Sequence, residues 1–275
     1  MKRLIATILF VFALAPSAQA IEVQEVTSPG GIKAWLVQES SIPFMALEIR
    51  FRGGAALDVA GKRGAINLMM ATLEEGAGEL DAQAFAAARE ALAASYRFRV
   101  FDDVTSISAR FLTENRAAAT ALLKSALMQP RFDVEAIDRV REQVLAGIRS
   151  DATDPGSVAG STFDALAWGE HPYASAADGT LETVAALTRD DIVEGYQQVF
   201  GLDRMFVAAV GDISAADLGL LLDDLLGGLP KSAAPLVARA DLQLTAGTTV
   251  VDFDTPQSGA LFGHVGIKRD DPEYI

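Results

Sequence analysis

The sequence predicts an α+β fold rather than a doubly wound parallel sheet. Segments with the period-two alternation of strands are interleaved with paired helical segments, without a strict strand–helix–strand rhythm. Several helical segments follow a capping residue and stop at Gly or Pro. Hydrophobic residues make up 50% of the 275 residues and charged residues 22%, which is typical of a globular protein with a sizeable core.

The first half of the chain alternates between strands and helices. The stretch after Pro43 has apolar residues at every second position from Met45 to Phe51, and Gly53-Gly54 ends it. Asp81 is a good N-cap for the helix that follows it. The predicted strands of this half are residues 23–38, 46–52, 97–100 and 104–111, and a nearly all-apolar helix is predicted over 65–73.

The second half is dominated by helices. The first is predicted from a cap at Thr113 to Met128, and the next covers residues 134–150. Thr188-x-x-Asp191 and Ser214-x-x-Asp217 each start a further helix like a capping box. Residues 205–210 are all apolar, and they are predicted to form a buried strand between these two helices.

The N-terminus has the features of a secretory signal. Residues 1–20 contain a charged start, a run of twelve residues that is apolar except for Thr7, and the small-x-small site Ala18-Gln19-Ala20. A membrane anchor is the alternative, but the run is shorter than the ~20 residues that a span requires. We therefore predict that residues 1–20 are removed and that the product is periplasmic or secreted, with no membrane attachment after cleavage.

Composition excludes several classes of function. The formal net charge is −14, and removal of Lys2 and Arg3 with the signal would make it −16. No basic stripe is present to neutralise phosphates, so nucleic-acid binding is not expected. The absence of cysteine removes disulfides, thiol catalysis and thiolate metal sites, and two histidines leave little room for a histidine-rich metal centre.

The residues alone give no persuasive active site. The sequence lacks G-x-S-x-G and G-x-G-x-x-G. His171 lies in a polar loop, where a backbone-bonding histidine is a better interpretation than a ligand, and His264 is interpreted as a satisfied or surface imidazole. Glu74 and Glu75 are adjacent on a helix and do not face one another, so they indicate a solvated helix end.

The last part of the chain is predicted to start a second domain. Residues 231–247 are interpreted as a linker, and residues 248–253 and 260–267 as two strands around an acidic turn that contains Ser and Pro. Two strands do not form a stable domain by themselves. Either they join the sheet of the first domain or the sequence is a fragment, and we favour the fragment.

The order of these segments resembles the pitrilysin or insulinase family of zinc peptidases, which includes the mitochondrial processing peptidase. The resemblance covers nearly all of the chain after the signal, and eight segments occur in the family's order. They are MALEIRFRGGAALD, GKRGAINLMMATLEEGAG, LTENRAAATALLKSALMQPRFD, RVREQVLAGIRSDATDP, WGEHPYASAADGT, TRDDIVEGYQQVF, VAAVGDI and LLGGLP.

The resemblance implies a fold and a domain division. The fold is a two-layer sandwich with a mainly antiparallel sheet and helices packed on one face, as in the metallopeptidase domain of the processing-peptidase type. Residues 21–230 would be a degenerate N-terminal domain of this kind, residues 231–247 a linker, and residues 248–275 the truncated start of a second, similar domain.

The resemblance also implies that the zinc chemistry is lost. Active members carry H-x-x-E-H on the helix after the Gly-containing turn, with two zinc-binding histidines and a glutamate general base. Here the histidine positions fall on Asn67 and Ala71 and the base on Met70, while the glutamate ligand of a later helix falls at Ala146-Gly147. We therefore predict no catalytic or metal-binding residue and no cofactor, with zinc expected only in a catalytic partner.

The function that this implies is a non-catalytic subunit that binds peptide and completes the chamber of a zinc-bearing partner. Family members bind peptide at a sheet edge, and the matching strand here makes Arg97, Phe98 and Arg99 the peptide-binding candidates. Arginines on an edge strand are equally an ordinary protection against aggregation. The alternatives are a stand-alone periplasmic peptide-binding or assembly protein and an active metallopeptidase with unusual ligands.

Overall fold

The main sheet of the protein has six strands. A computed structural model describes residues 22–269 and 271–274, so the predicted signal over residues 1–20 lies outside the described residues. The strands of the main sheet are β1 Gln24–Thr27, β2 Lys33–Gln38, β3 Phe44–Arg52, β6 Ser95–Val100, β7 Val104–Leu112 and β8 Met205–Gly211, while β4 Gly76–Ala77 and β5 Leu80–Asp81 form a separate two-stranded sheet.

The spatial order of the main sheet is β1-β2-β8-β3-β7-β6, which places β1 and β6 at its edges. Among these strands β2 and β8 run parallel, and the other neighbouring pairs are antiparallel. The longest pairing joins β3 to β7, from Phe44 opposite Leu112 to Arg52 opposite Val104. The predicted α+β class with a mainly antiparallel sheet is confirmed.

Eight α-helices accompany the sheet in the part of the chain that the structure describes. They are α1 Ala65–Thr72, α2 Ala82–Ala91, α3 Arg116–Met128, α4 Val134–Asp151, α5 Pro155–Trp168, α6 Leu181–Ala186, α7 Arg189–Val199 and α8 Ala215–Leu226. Within the described residues, none of these helices combines the length and the apolar character needed to cross a bilayer.

The core lies between the helices and one face of the sheet. In β3 the side chains of Met45, Leu47, Ile49 and Phe51 are at most 2% exposed, and the residues between them belong to the opposite face. Phe51 meets Phe200, at the end of α7, edge to face with 5.0 Å between ring centroids. The result is a two-layer sandwich with one helix-covered face and one open face.

Two strand predictions need correction. The single strand predicted over residues 23–38 is a hairpin, because the chain turns between Thr27 and Lys33 with Gly31 at φ +91°. The strand predicted as buried over residues 205–210 is buried on one face only, and Phe206 and Val210 are 48% and 40% exposed. β8 lies in the middle of the sheet, but its second face is on the open side.

Three of the predicted helix starts are confirmed. Asp81 accepts a hydrogen bond from the Ala84 N–H, and Thr188 and Asp191 form a reciprocal capping box. Ser214 accepts from the Asp217 N–H at the start of α8. The cap predicted at Thr113 is wrong, because residues 113–115 form a 3-10 turn and α3 begins at Arg116.

The strands predicted over residues 248–253 and 260–267 are not formed in the described residues. Neither segment pairs with another strand, and large apolar side chains in them are exposed, with Val250 at 83% and Phe262 at 95%. An extended segment becomes a strand only when a neighbouring strand takes its backbone hydrogen bonds, and no described strand does so here. The division into a first domain, a linker and a second domain stays a prediction.

A buried arginine connects the start of α1 to three distant parts of the chain. The Arg63 side chain is 10% exposed. Its guanidinium donates to the carbonyl oxygens of Ala55, Ser175 and Ala176, and it donates to Asp102 Oδ1 at 2.9 Å. One side chain therefore joins the turn after β3, the β6–β7 turn and the loop before α6.

A buried carboxylate stands beside this arginine. The Asp58 side chain is 2% exposed and accepts from the N–H groups of Gly64 and Ile66, at 2.8 and 2.9 Å. Its Oδ2 lies 3.6 Å from Nη1 of Arg63. Burial raises the pKa of Asp58 to about 6, although the two N–H donors and the Arg63 charge act in the opposite direction.

We expect Arg63→Met to lower the free energy of unfolding by about 3–5 kcal/mol, because it leaves the buried Asp58 carboxylate and three carbonyl groups without their partner. The matched control is Arg50→Met, whose side chain is 60% exposed and pairs with Glu48 alone, so its effect should stay within about 1 kcal/mol. Urea denaturation measures both. Equal effects of the two substitutions would contradict the role assigned to Arg63.

We expect the stability contribution of Asp58 to fall as the pH rises from about 4 to about 6. The folded protein holds the Asp58 proton more tightly than the unfolded chain, whose carboxyl has a pKa near 3.9. The contribution to the free energy of unfolding is therefore fully present below about pH 4, and it is lost as the pH rises through the pKa of Asp58 in the folded protein. The measurement is the free energy of unfolding of the protein and of the Asp58→Asn variant across this pH range. The difference between the two free energies should change by at most about 1.4 kcal/mol per pH unit. A difference that does not change with pH would contradict the raised pKa.

Candidate functional site

Helix α1 has one partly open stripe in an otherwise buried surface. Six of its eight residues are buried, and the two that are not are Asn67 and Ala71. Residues four positions apart lie on one helix face, so Asn67 and Ala71 form a single stripe. These are the two positions at which the resemblance places the zinc-binding histidines.

The position that the resemblance assigns to the general base is part of the core. Met70 is 1% exposed and belongs to the main hydrophobic cluster, together with its neighbours Leu68 and Met69. A thioether accepts no proton at neutral pH, so the side chain has no capacity for general base catalysis. Met70 contributes an apolar side chain to the hydrophobic cluster instead.

The fourth position of the predicted motif lies on the open surface of α4. Helices α1 and α4 are in contact, and both Ala146 and Gly147 of α4 are exposed. A Cβ atom built on Gly147 would meet no other atom within 4 Å. Neither residue has a side-chain atom that binds zinc.

No three His, Cys, Asp or Glu side chains within residues 22–269 and 271–274 converge in a way that would hold a metal ion. The two carboxylates that follow α1 are engaged separately, Glu74 with Arg89 and Glu75 with Arg139 at 2.5 Å. Burial raises the pKa of Glu74, while the Arg89 charge opposes that change. Their different partners agree with the interpretation that they do not act as a pair.

The histidines lie where the sequence suggested. His171 Nδ1 accepts from the Tyr173 N–H, and its Nε2 lies 3.2 Å from the Ala238 carbonyl oxygen. It is therefore a loop histidine that bonds to backbone. His264 is exposed, although it stands on an unpaired segment and not on a strand.

The three peptide-binding candidates lie on an edge strand. β6 pairs with β7, and no other described strand pairs with β6. Arg97 and Arg99 are exposed on the open face, whereas Phe98 is partly buried on the helix-covered face between Tyr96 and Val100. Helix α1 contacts β6, so the altered motif and the strand edge are neighbours. Their role in peptide binding stays a prediction.

The hydrogen-bonding groups on the outer side of β6 follow from its register. Phe101 N–H donates to the Val104 carbonyl at 2.8 Å, so every second residue counted back from Phe101 bonds to β7. The backbone N–H and C=O groups of Tyr96, Phe98 and Val100 therefore point away from the sheet. This is the arrangement that an added strand requires.

Sequence reasoning missed the loop that meets the start of α1. The Thr183 hydroxyl donates to the Arg63 carbonyl oxygen. Gly64 has φ +96° and lies close to the backbone of Asp178. A Cβ atom at Gly64 would lie 2.5 Å from the Asp178 carbonyl oxygen. The signal available in the sequence was the pair of glycines, Gly64 and Gly179, one in each of two separate segments. Each is packed against the backbone of the other segment.

A cavity of about 540 Å³ lies between the end of α4, α5 and the loop before α6. Asp151, Asp164 and Asp178 line part of it, and burial raises the pKa of Asp164 and of Asp178. The negative charge of Asp151 adds to the rise of the Asp178 pKa, and that of Asp102 adds to the rise of the Asp164 pKa. The three carboxylates do not converge as metal ligands, and the sequence did not single them out.

The structure has the α+β fold that the resemblance implies, and the positions that the resemblance matches to the zinc motif carry Asn67, Met70, Ala71 and Ala146-Gly147. No protein-family profile matches the chain. In sequence it is 28% identical over 265 residues to a protein of Helicobacter pylori named as a non-peptidase homologue, covering 96% of this chain and 61% of that protein. It is 22% identical over 251 residues to an uncharacterised zinc protease of Mycobacterium leprae, covering 90% and 56%.

The fold has similar neighbours among solved structures. The inactive domain of a peptidase M16 from Pseudomonas fluorescens superposes with a TM-score of 0.73 at 26% identity, covering 80% of this chain and 53% of that one. A protease from Helicobacter pylori has a TM-score of 0.70 at 16% identity, covering 81% and 54%, and shows the likeness of fold alone. In sequence and in fold the chain is therefore similar to inactive-type members of the peptidase M16 family. It spans 61% and 56% of the lengths of the Helicobacter pylori and Mycobacterium leprae relatives in sequence.

We expect Met70→Glu to destabilise the protein by on the order of 3 kcal/mol or more, because it buries a carboxylate in the core without a partner. Asn67→Glu, three residues earlier on the partly open stripe, is the matched control and should cost less than about 1 kcal/mol. Chemical denaturation compares the two. If Met70→Glu is tolerated as well as Asn67→Glu, the general-base position is not part of the core.

Proposed function

We propose that this protein is the catalytically inactive subunit of an exported two-subunit zinc peptidase. It binds peptide and completes a chamber whose zinc chemistry belongs to a partner of the same family. Because the chain spans about 61% of the length of its Helicobacter pylori relative, the activity, substrate and partner of the whole protein are all part of this proposal.

One observation carries the proposal: the scaffold of a peptidase site is kept while its chemistry is absent. Helix α1 still lies against α4 and against the edge strand β6, and its one open stripe carries Asn67 and Ala71. A subunit that shapes a peptide site would need an open stripe of this kind on a helix that contacts the strand edge.

Peptide binding is supported by the edge of β6. Its outward backbone groups offer hydrogen bonds along the whole of the strand and read a peptide with little demand on side-chain identity. Export is supported by the sequence of residues 1–20, with its charged start, apolar run and Ala18-Gln19-Ala20 site. The proposed location is the periplasm or the exterior of the cell.

The second candidate is a stand-alone exported peptide-binding or assembly protein. It is favoured by the same strand edge, since adding a strand to β6 requires no second subunit. The two candidates differ in whether the protein changes the rate of a zinc-bearing homologue.

The deciding experiment mixes the full-length protein with a homologue that carries H-x-x-E-H. We expect peptide cleavage by the homologue to increase with added protein and to saturate at one copy of each. A homologue whose motif glutamate is replaced by Gln should give no cleavage with or without this protein, because the general base belongs to the partner.

Three results would count against the proposal. An unchanged rate at saturating protein, with peptide binding retained, would favour the stand-alone candidate. Cleavage by this protein alone, lost on chelation and accompanied by stoichiometric zinc, would show an active peptidase with unusual ligands. Absence of peptide binding in every mixture would contradict both proposals.

Binding at the edge is tested separately with N-methylated peptides. A peptide methylated at the alternate amides that face β6 should bind at least tenfold more weakly, because it loses the hydrogen bonds of strand addition. The same peptide methylated at the other amides keeps those donors and is the control. Equal binding of the two would exclude strand addition at this edge.

A further inference from the structure

The half of the open face formed by β3, β7 and β6 is rich in arginine. Its charged residues are Glu48, Arg50, Arg52, Arg97, Arg99 and Arg110. The strand register fixes their places: Arg99 and Arg50 flank Ser106 in one row across the sheet, and Arg97 and Glu48 flank Ser108 in the next. Five cations and one carboxylate thus share one surface.

This surface has the opposite charge to the protein as a whole. The chain has 37 acidic and 23 basic residues, so a chance grouping of surface charges would be negative. Glu48, the one carboxylate here, already pairs with Arg50 at 2.8 Å and accepts from the Ser108 hydroxyl. Within the described residues Arg52, Arg97, Arg99 and Arg110 form no ion pair.

A strand added at the β6 edge would present alternate side chains to two different environments. On the open face its side chains would stand beside Arg97 and Arg99, at the short distance of directly cross-strand pairs. On the helix-covered face they would meet Tyr96, Phe98 and Val100, which are buried or partly buried. Arg110 on β7 is one strand further, about 10 Å from the added strand, which is near the Debye length at physiological salt.

We propose that the β6 edge selects extended peptides in which acidic side chains alternate with apolar ones. This specificity rests on the peptide binding proposed above and names its substrate class. The acidic side chains face Arg97 and Arg99 on the open side, and the apolar side chains face Phe98 and its neighbours. The preference is opposite to the one that the net charge of the chain would give through long-range attraction.

The size of the preference follows from exposure. An exposed ion pair changes an equilibrium by a few-fold only, because water and salt screen it. Two direct pairs with the support of neighbouring arginines therefore give a preference of about tenfold over a neutral peptide. The same screening predicts that the preference shrinks as salt is added.

The test uses the full-length protein and three labelled ten-residue peptides of alternating Val and X, with X as Glu, Gln or Lys and Tyr in place of one Val. Fluorescence anisotropy should give a Kd for the Glu peptide about tenfold below that of the Gln peptide, with the Lys peptide weakest. A Glu peptide of the same composition with its acidic residues in one block should bind like the Gln peptide.

The variant Arg97→Gln/Arg99→Gln should raise the Kd of the Glu peptide about tenfold and change the Kd of the Gln peptide less than twofold. Arg149→Gln/Arg239→Gln, which removes two exposed arginines elsewhere, is the matched control and should change neither. Circular dichroism and the urea midpoint establish that both variants fold like the unmodified protein, as expected for exposed side chains.

The outcomes separate this inference from the function on which it rests. If the Glu and Gln peptides bind equally, the acidic preference is wrong and the proposed peptide binding stands. If no peptide binds, the proposed function fails and the preference with it. If the Arg97→Gln/Arg99→Gln variant associates with itself while the Glu peptide binds unchanged, the arginines protect the edge from aggregation and do not select peptides.

Discussion

A buried guanidinium at the start of α1 is the constraint on which the arrangement of the site depends. Arg63 holds the turn after β3, the β6–β7 turn and the loop before α6 in one place, and Asp58 beside it caps the first N–H groups of α1. A buried charge is costly unless its partners are all present, so these segments have little freedom to move separately. This network fixes the start of α1, and the buried side chains of α1 set its contacts with β6 and α4.

The positions that the resemblance matches to the zinc motif have different surroundings in this structure. Met70 is now core packing, so the general-base position contributes to stability. Asn67, Ala71 and Gly147 are at least partly exposed and contribute little packing. Helix α1 is therefore held in place by the burial of its apolar side chains, including Met70.

Net charge and local charge differ in this protein, and the difference has a physical consequence. A chain of net charge −14 attracts basic molecules at long range, yet the arginines on the open face of β3, β7 and β6 act on whatever lies within about one Debye length of the strand edge. Long-range attraction and short-range selection therefore favour ligands of opposite sign. The alternation of a strand is what makes the local pattern possible, because it places Arg97 and Arg99 on one face and Phe98 on the other.

The sequence by itself determined the α+β class, most strand and helix positions, the capped helix starts at Asp81, Thr188 and Ser214, and the absence of histidine from α1. These are local properties, set by periodicity, capping and residue chemistry within a few positions. The residue pattern also placed Arg97, Phe98 and Arg99 on a strand, and the family resemblance supplied their predicted role in peptide binding. It failed at the turn after Thr27, where an alternating pattern continued across a hairpin, and over residues 248–267, where strand-like alternation has no partner strand.

Only the tertiary structure decided that β6 is an edge, that Met70 is core while Asn67 is partly open, and that five arginines from three strands share one face. Those properties depend on which strands pair and on which face the helices cover, and this pairing joins residues far apart in the chain, such as Phe44 and Leu112.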